Sequence, residues 1–319
     1  MNVDEYKRAS DKTMSLKKAI ATFMHRGCSL TLGGFGSRQP LAAVHEIVRQ
    51  RIGELTIVTD TSVDAADILV GASLVKKLEG AYFSMGLLGP SPNIRRAYES
   101  GVPRAIEIED YSNYSAGLRF LAGAMNIPFL PTKSLLGTDI LKYNNRIITQ
   151  NDPYNDEPVA LVPSVNPDVV IIHVHRADPM GNAQIYGFLA SDENKARAAK
   201  RVIITCEEIV PTETIRKDPH LTAIPFYCTD AVVEVAYGAH CSPLPYYYIY
   251  DILFARDYVQ KSQTYEGFLE WLDEWVYGCD SPEDYLNKVG RERLKRLTRL
   301  EQETGDCTPR ESNWRYPHA

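Results

Sequence analysis

Strands alternating with helical stretches predict an α/β fold, a mostly parallel sheet flanked by helices with a C-terminal helical extension. Three observations carry this expectation. Short apolar or β-branched runs recur between amphipathic stretches from residue 29 to residue 240. One of them, VVIIHVH (169–175), is apolar almost without interruption, as a strand covered on both faces must be. Beyond residue 255 the chain turns polar, with apolar residues at helical spacing. No repeat, low-complexity linker or break in composition divides the chain, so 1–319 reads as a single domain of which 255–319 form a helical extension and tail.

The elements follow in order. In SLKKAIATFMHRG, Leu16, Ile20, Phe23 and Met24 mark one face of a helix, which basic residues and Gly27 close. SLTLGG is a strand running into a glycine loop. Pro40 opens the next helix, with Leu41, Val44 and Val48 on its buried face. ELTIVTD, AADILVGASLV, GAYFSM and RAIEIED are further apolar or β-branched runs, followed by a helix over SAGLRFLAGAM. IPFLPTKSLLGTDIL reads as an extended segment and loop. RVIITCEE and DAVVEVAYGAH read as two more parallel strands. PLPYYYIYD then turns the chain outward. Two polar helices finish it, the first with Tyr265, Phe268, Leu269, Leu272 and Val276 on one face, the second running on from Pro282.

Composition narrows the function. The chain of 319 residues carries a net charge of -6, which argues against nucleic-acid binding, since that calls for a basic face. Its one basic cluster, from Arg291 to Arg299, is interleaved with Leu294 and Leu297 and reads as a solvated helix face. Six cysteines lie scattered without a metal-binding spacing, so no metal site is expected. The first 25 residues are charged throughout, unlike a signal peptide, and no run is long enough to span a membrane. A cytoplasmic protein with reduced thiols is expected.

The loop GGFGSRQP (33–40) is the first candidate site. Its G-G-x-G spacing misses the third glycine of a dinucleotide-binding turn, and Asp60 stands late for the acidic partner such a turn requires. No Gly-Lys-Ser/Thr follows, so it is not a Walker loop. What remains is a plain strand-to-helix turn, or a set of backbone N–H groups aimed at an anionic or carbonyl oxygen.

Taken together, the motifs resemble those of the family I coenzyme A transferases, in their α-type subunits. GGFGSRQP is similar to the family's Gly-Gly-Phe loop. IIHVHRADPMGNAQI resembles a second mark, with His173, Ala177, Asp178, Gly181 and Asn182; PFLPTKSLLGTD resembles a third. TCEEIVPTETIRKDP, IPFYCTDAVVEVAYGAH and EDYLNKVG resemble the glutaconate CoA-transferase branch, and the similarity runs in order over nearly the whole chain. The resemblance implies a coenzyme A transferase fold and an active site shared with a homologous β subunit, in a heterotetramer or larger assembly. It implies no bound cofactor, coenzyme A thioesters and carboxylic acids as substrates, and a glutamate that attacks the thioester covalently. It implies substrate and oxyanion contacts from Gly33, Gly34, Phe35, Gly36, Ser37 and Arg38, with Asp178, Gly181 and Asn182 ordering a turn beside the site.

The family's nucleophile lies in a Ser-Glu-Asn-Gly motif that this chain lacks. SDENKARAAK comes nearest, and there Ser191 or Asp192 reads as a helix cap. The nucleophile is therefore expected on the partner chain. Gln39 stands where the family usually has glycine, which leaves the substrate open; glutaconate or a similar small dicarboxylate is the first expectation. Relatives of this branch use an acidic residue of the α-type chain for decarboxylation or hydrolytic ring opening. Glu109 and Asp110 are the candidates for that role, with Asp110 also suited to cap a helix. A non-catalytic ligand-binding module is a further alternative. Arg38 could pair with a substrate carboxylate or phosphate, or sit on the surface; Ser37 could donate to the acyl oxygen or tighten the turn. His173 reads as a satisfied core histidine, and Tyr246, Tyr247 and Tyr248 as packing or interface.

Overall fold

A computed structural model describes residues 11–61 and 63–304. Residues 1–10, Ser62 and the tail from 305, with Cys307, lie outside the described residues. The main sheet contains β1 (Ser29–Leu32), β2 (Leu55–Val58), β3 (Val75–Gly80), β4 (Glu107–Asp110), β8 (Val169–Ala177), β10 (Arg201–Ile209) and β12 (Ala231–Glu234). The pairings β4–β3–β2–β1–β8–β10–β12 are all parallel, as expected. β8 is buried over its whole length, which explains its continuous apolar run. It outlasts β1: Leu32 pairs with Ile171, and β8 continues to Ala177. The short antiparallel strands β9 (Ala183–Gln184) and β11 (Thr222–Ile224) extend the sheet from that free length, β9 pairing with β8 and β11 with β9.

Helices Leu16–Phe23 and Leu41–Arg49 form where the apolar spacing places them; Ser15 caps the first by accepting from Lys18 N, and Pro40 stands at the N-terminal boundary of the second without a side-chain hydrogen bond. Three readings change. AADILVGASLV is a helix, Val63–Gly71, and β3 starts only at Val75, because alanines with one apolar face bury as well on a helix as on a strand. Beyond Gly80, the last residue of β3, GAYFSM forms no strand of the sheet. IPFLPTKSLLGTDIL holds β5 (Phe129–Thr132) and the helix Ile140–Tyr143. β5 joins β6 (Ile148–Asn151) and β7 (Pro158–Pro163) in a separate antiparallel sheet over a small core of Tyr111, Leu135, Ile147 and Val162.

Among the described residues the C-terminal part holds four α-helices in place of two: Ile252–Lys261, Tyr265–Leu272, Pro282–Val289 and Arg291–Thr304. They are not an appendage. Phe254, Tyr258, Phe268, Trp271, Tyr285 and Leu297 join the main core with Ile20, Leu30 and Ile57. The basic cluster is largely solvated, as read, except that Arg293 forks onto Asp251 (2.6 and 2.8 Å), the N-cap of the first of these helices. Burial favours the neutral acid at Asp251. Hydrogen bonds from His240 and Arg293 outweigh it and hold the carboxyl well below its ordinary range. A depressed carboxyl stabilises the fold above its unfolded pKa of about 4 and loses that contribution as pH falls. R293L is therefore expected to move acid unfolding to higher pH, read by circular dichroism against pH.

Candidate active site

β1 ends at Leu32, and packing dictates the next two residues. A Cβ on Gly33 would lie 2.9 Å from Ile172 Cγ2, so glycine lets the chain leave the strand tight against β8. Gly34 has φ +83°, and a Cβ there would fall 1.9 Å from the Ser37 carbonyl oxygen. Their N–H groups are already used. Gly33 donates to Ile171 O (2.8 Å) and Gly34 to Asp192 Oδ1 (2.9 Å). The following helix also spends its first donors internally, Leu41 on Gln39 O and Ala42 on Gly238 O. This corrects the expected donor set. Among the described residues, no acceptor meets the N–H of Phe35, Gly36 or Ser37, so these three hold the loop's donor capacity.

Arg38 fits neither sequence reading. It is fully buried with φ +57°, and Nη1 donates to Asp192 Oδ2 (2.6 Å) while Nη2 donates to Phe188 O (2.9 Å). Its fork is committed beneath the loop rather than offered to a substrate. Asp192 is corrected likewise: Ser191 is the N-cap of helix Asp192–Ala198, and the Asp192 carboxylate anchors Gly34 and Arg38. One turn on, Lys195 Nζ donates to Leu32 O (3.1 Å) and to Asp60 Oδ1 (2.7 Å). Asp60, late for the acidic partner of a dinucleotide-binding turn, is a partner for this lysine. The loop thus rests on the buried charged groups of Arg38, Asp60, Asp192 and Lys195, drawn from separate stretches of the chain. Sequence spacing gave no sign of that network beyond the i, i+3 pairing of Asp192 with Lys195 (3.8 Å).

Above the loop opens a cleft of about 480 Å³. Phe35, Gly36 and Gln39 form one wall, Thr61 and Asp64 the next, and Tyr82, Ser84, Met85, Gly86 and Leu87 the far side, with Asn113, Tyr250 and Ile252 completing it. It sits over the C-terminal ends of the strands, where open parallel sheets take ligands. None of these residues is Arg, Lys or His. The rim is apolar and open: Leu87 is fully exposed, and Tyr82, Ile252 and Leu253 are exposed as well.

Gln39 and Asp64 are the site residues the sequence reading missed as a pair. Gln39 Nε2 donates to Asp64 Oδ2 (2.8 Å), and its Oε1 accepts from Ala65 N (3.0 Å). Burial pushes the Asp64 carboxyl up to about 6; the Gln39 hydrogen bond opposes this and the Asp67 carboxylate adds to it. The unusual Gln39 was the visible signal.

Neither Glu109 nor Asp110 lines the cleft, although Asn113, three residues past Asp110, does. Burial favours the neutral acid at Glu109, but hydrogen bonds from Lys77 Nζ (2.5 Å) and Tyr111 Oη (2.5 Å) outweigh it and hold the carboxyl below its usual range. A carboxylate so occupied is a poor base. Asp110 is exposed, its carboxyl raised by desolvation alone, and it caps nothing; Ser112 and Ser115 form the capping box of helix Asn113–Ala124. Asp178 does order its turn, accepting from Gly181 N (2.9 Å), Asn182 N (2.9 Å) and Asn182 Nδ2 (2.8 Å). That turn follows Ala177, well past the β1 register at Ile171, and lies outside the cleft lining. His173 is the core histidine expected, bonded to Thr205 Oγ1 and Glu207 Oε1 (both 2.9 Å). Tyr248 is buried and donates to Glu207 Oε1 (2.7 Å), a packing role.

Residues 13–235 match the family model described as coenzyme A transferase. The chain belongs to the coenzyme A transferase family. It is 37% identical to one subunit of the glutaconate CoA-transferase of Acidaminococcus fermentans, over 90% of this chain and 94% of that one. The crystal structure of glutaconate coenzyme A-transferase from that organism superposes with a TM-score of 0.86, at 36% identity, covering 90% and 95% of the two chains. Identity to one subunit of the 3-oxoadipate CoA-transferase of Pseudomonas knackmussii is 33%, over 86% and 97%. An uncharacterized protein of Archaeoglobus fulgidus is 44% identical over 92% of this chain, which spans 66% of that protein's length. No described helix of this transferase-family chain is long and apolar enough to cross a membrane.

Proposed function

We propose that this chain is the α subunit of a heteromeric acyl-CoA:carboxylate CoA-transferase, working with a homologous β subunit on glutaconate or a similar small dicarboxylate in the cytoplasm. One observation carries the reading. The N–H groups of Phe35, Gly36 and Ser37 have no acceptor among the described residues, and Phe35 and Gly36 line a cleft whose apolar rim stands open at Tyr82, Leu87 and Ile252. Exposed apolar surface around a half-built pocket calls for a partner protein. Both named transferase relatives act on acids with two carboxyl groups, which supports the substrate class.

The chemistry then divides between the chains. On the β side, a glutamate carboxylate attacks the thioester carbonyl, giving an acyl-glutamyl anhydride and coenzyme A thiolate. The thiolate attacks the glutamyl carbonyl, releasing the acid and leaving a glutamyl-CoA thioester. The acceptor carboxylate attacks that thioester to form a new anhydride, from which the thiolate takes the acyl group and frees the glutamate. Each carbonyl addition places charge on an oxygen, and N–H donors held rigid by the buried Arg38, Asp192, Lys195 and Asp60 network stabilise it without reorganising.

The test is covalent trapping. The complex is incubated with acyl-CoA and treated with borohydride or hydroxylamine, and both chains are read by peptide mass. Modification of one β-subunit glutamate is expected, with no label on this chain. Label on this chain, or transfer by this chain alone, would overturn the reading.

A further inference from the structure

We propose that Asp64 is the residue that recognises the distal carboxyl group of the substrate, acting as a hydrogen-bond donor in a cleft whose lining has no cation. The inference rests on the transferase reading and adds a specificity residue to it. A dicarboxylic acid bound with one carboxyl at the glycine loop carries a second carboxylate into the same cleft. Arginine is the usual answer to such a group, yet the lining holds neither Arg, Lys nor His, and Arg38 is turned beneath the loop onto Asp192. A protonated carboxyl is the other answer, because one proton shared between two carboxyl groups removes their repulsion and makes a short, charge-assisted hydrogen bond.

Asp64 is built for that state. Gln39 Nε2 donates to Oδ2, which makes Oδ2 the acceptor oxygen and leaves Oδ1 to carry the proton. Gln39 is itself fixed by Ala65 N–H. Burial and the nearby Asp67 raise the carboxyl to about 6, so the acid form is available close to neutrality. Burial acts on the groups around Asp64 as well. His45 and His240, on the far side in a small adjoining cavity, are pushed down by burial, His45 to about 3. Cys241 and Tyr250 are pushed up and stay neutral. Asp67, also raised by burial, is occupied by Asn93, Ile94 N and Tyr258.

The sign of the pH effect follows. Below about pH 6 the acid donates; above it a carboxylate faces a carboxylate. With the complex of this chain and its β partner, glutarate and valerate serve as matched five-carbon acceptor acids between about pH 5.5 and 8. Selectivity for glutarate over valerate is expected to fall about tenfold across that range in the wild type. In D64N the amide still donates, so selectivity stays and its pH dependence disappears. In D64A it is expected to be lost about tenfold already at the acid end of the range. A D64N profile identical to wild type, or equal losses for both acids in D64A, would overturn the proposal. Calorimetric binding of the two acids to the complex gives the same contrast without turnover. A complex that discriminates by binding yet transfers to neither acid would sink the transferase reading and leave Asp64 standing. Melting of D64N checks the fold: its stability should come to exceed that of wild type as pH rises from about 4 to about 6, because the unfolded chain ionises Asp64 first, and the difference should stay constant above that.

Discussion

D192A is expected to lower unfolding stability by about 3–5 kcal/mol, the usual cost of stripping one partner from a buried ion pair. The reason is what the carboxylate leaves behind. Arg38 is fully buried, and its Nη1 is held by Asp192 Oδ2 at 2.6 Å. The Gly34 N–H loses its acceptor in the same step. Urea denaturation of the chain measures the loss. A double variant, R38M with D192L, removes both charges and is expected to unfold at higher urea than D192A, because an apolar pair of similar volume leaves no buried charge unpaired, although the Gly34 N–H still lacks its acceptor. A loss below about 1 kcal/mol for D192A would mean that the pair does not hold the loop.

The difference between what could be read from the residues and what could not follows the range of the forces involved. β8 declared itself because burial on both faces leaves a local mark, an unbroken apolar run, and β10 and β12 did so in the same way. Helix Val63–Gly71 did not, since its small and apolar residues satisfy either period. The loop's glycines were legible as a turn, but not which N–H groups remain for a ligand. That depends on Ile171 and Asp192, which lie far along the chain from the loop. Glu109 illustrates the opposite failure. Its place at a strand end is what a catalytic acid wants, and only the structure shows Lys77 and Tyr111 already holding it. Gln39 lay between these cases: visible as a departure from the family pattern, mute until Asp64 appeared beside it.

G34A is expected to cost the complex about 10²-fold or more in kcat/KM, the loss typical of misplacing oxyanion donors, and to lower the melting temperature by a few degrees. Both glycines of the turn have positive φ, +83° at Gly34 and +67° at Gly36, so backbone strain alone would penalise alanine similarly at each, by about 1–2 kcal/mol. Their surroundings differ. The Cβ at Gly34 would stand 1.9 Å from Ser37 O, so the loop must open; at Gly36 nothing lies within 4 Å. Opening moves the N–H groups of Phe35, Gly36 and Ser37 together, because the segment is pinned at its far end by Arg38 N–H on Pro243 O (2.8 Å) and by the Arg38 fork below. G36A therefore serves as the control, with a decrease of about tenfold or less expected. Equal decreases in the two variants would show that turn strain, and not the placement of three backbone donors, accounts for the glycines.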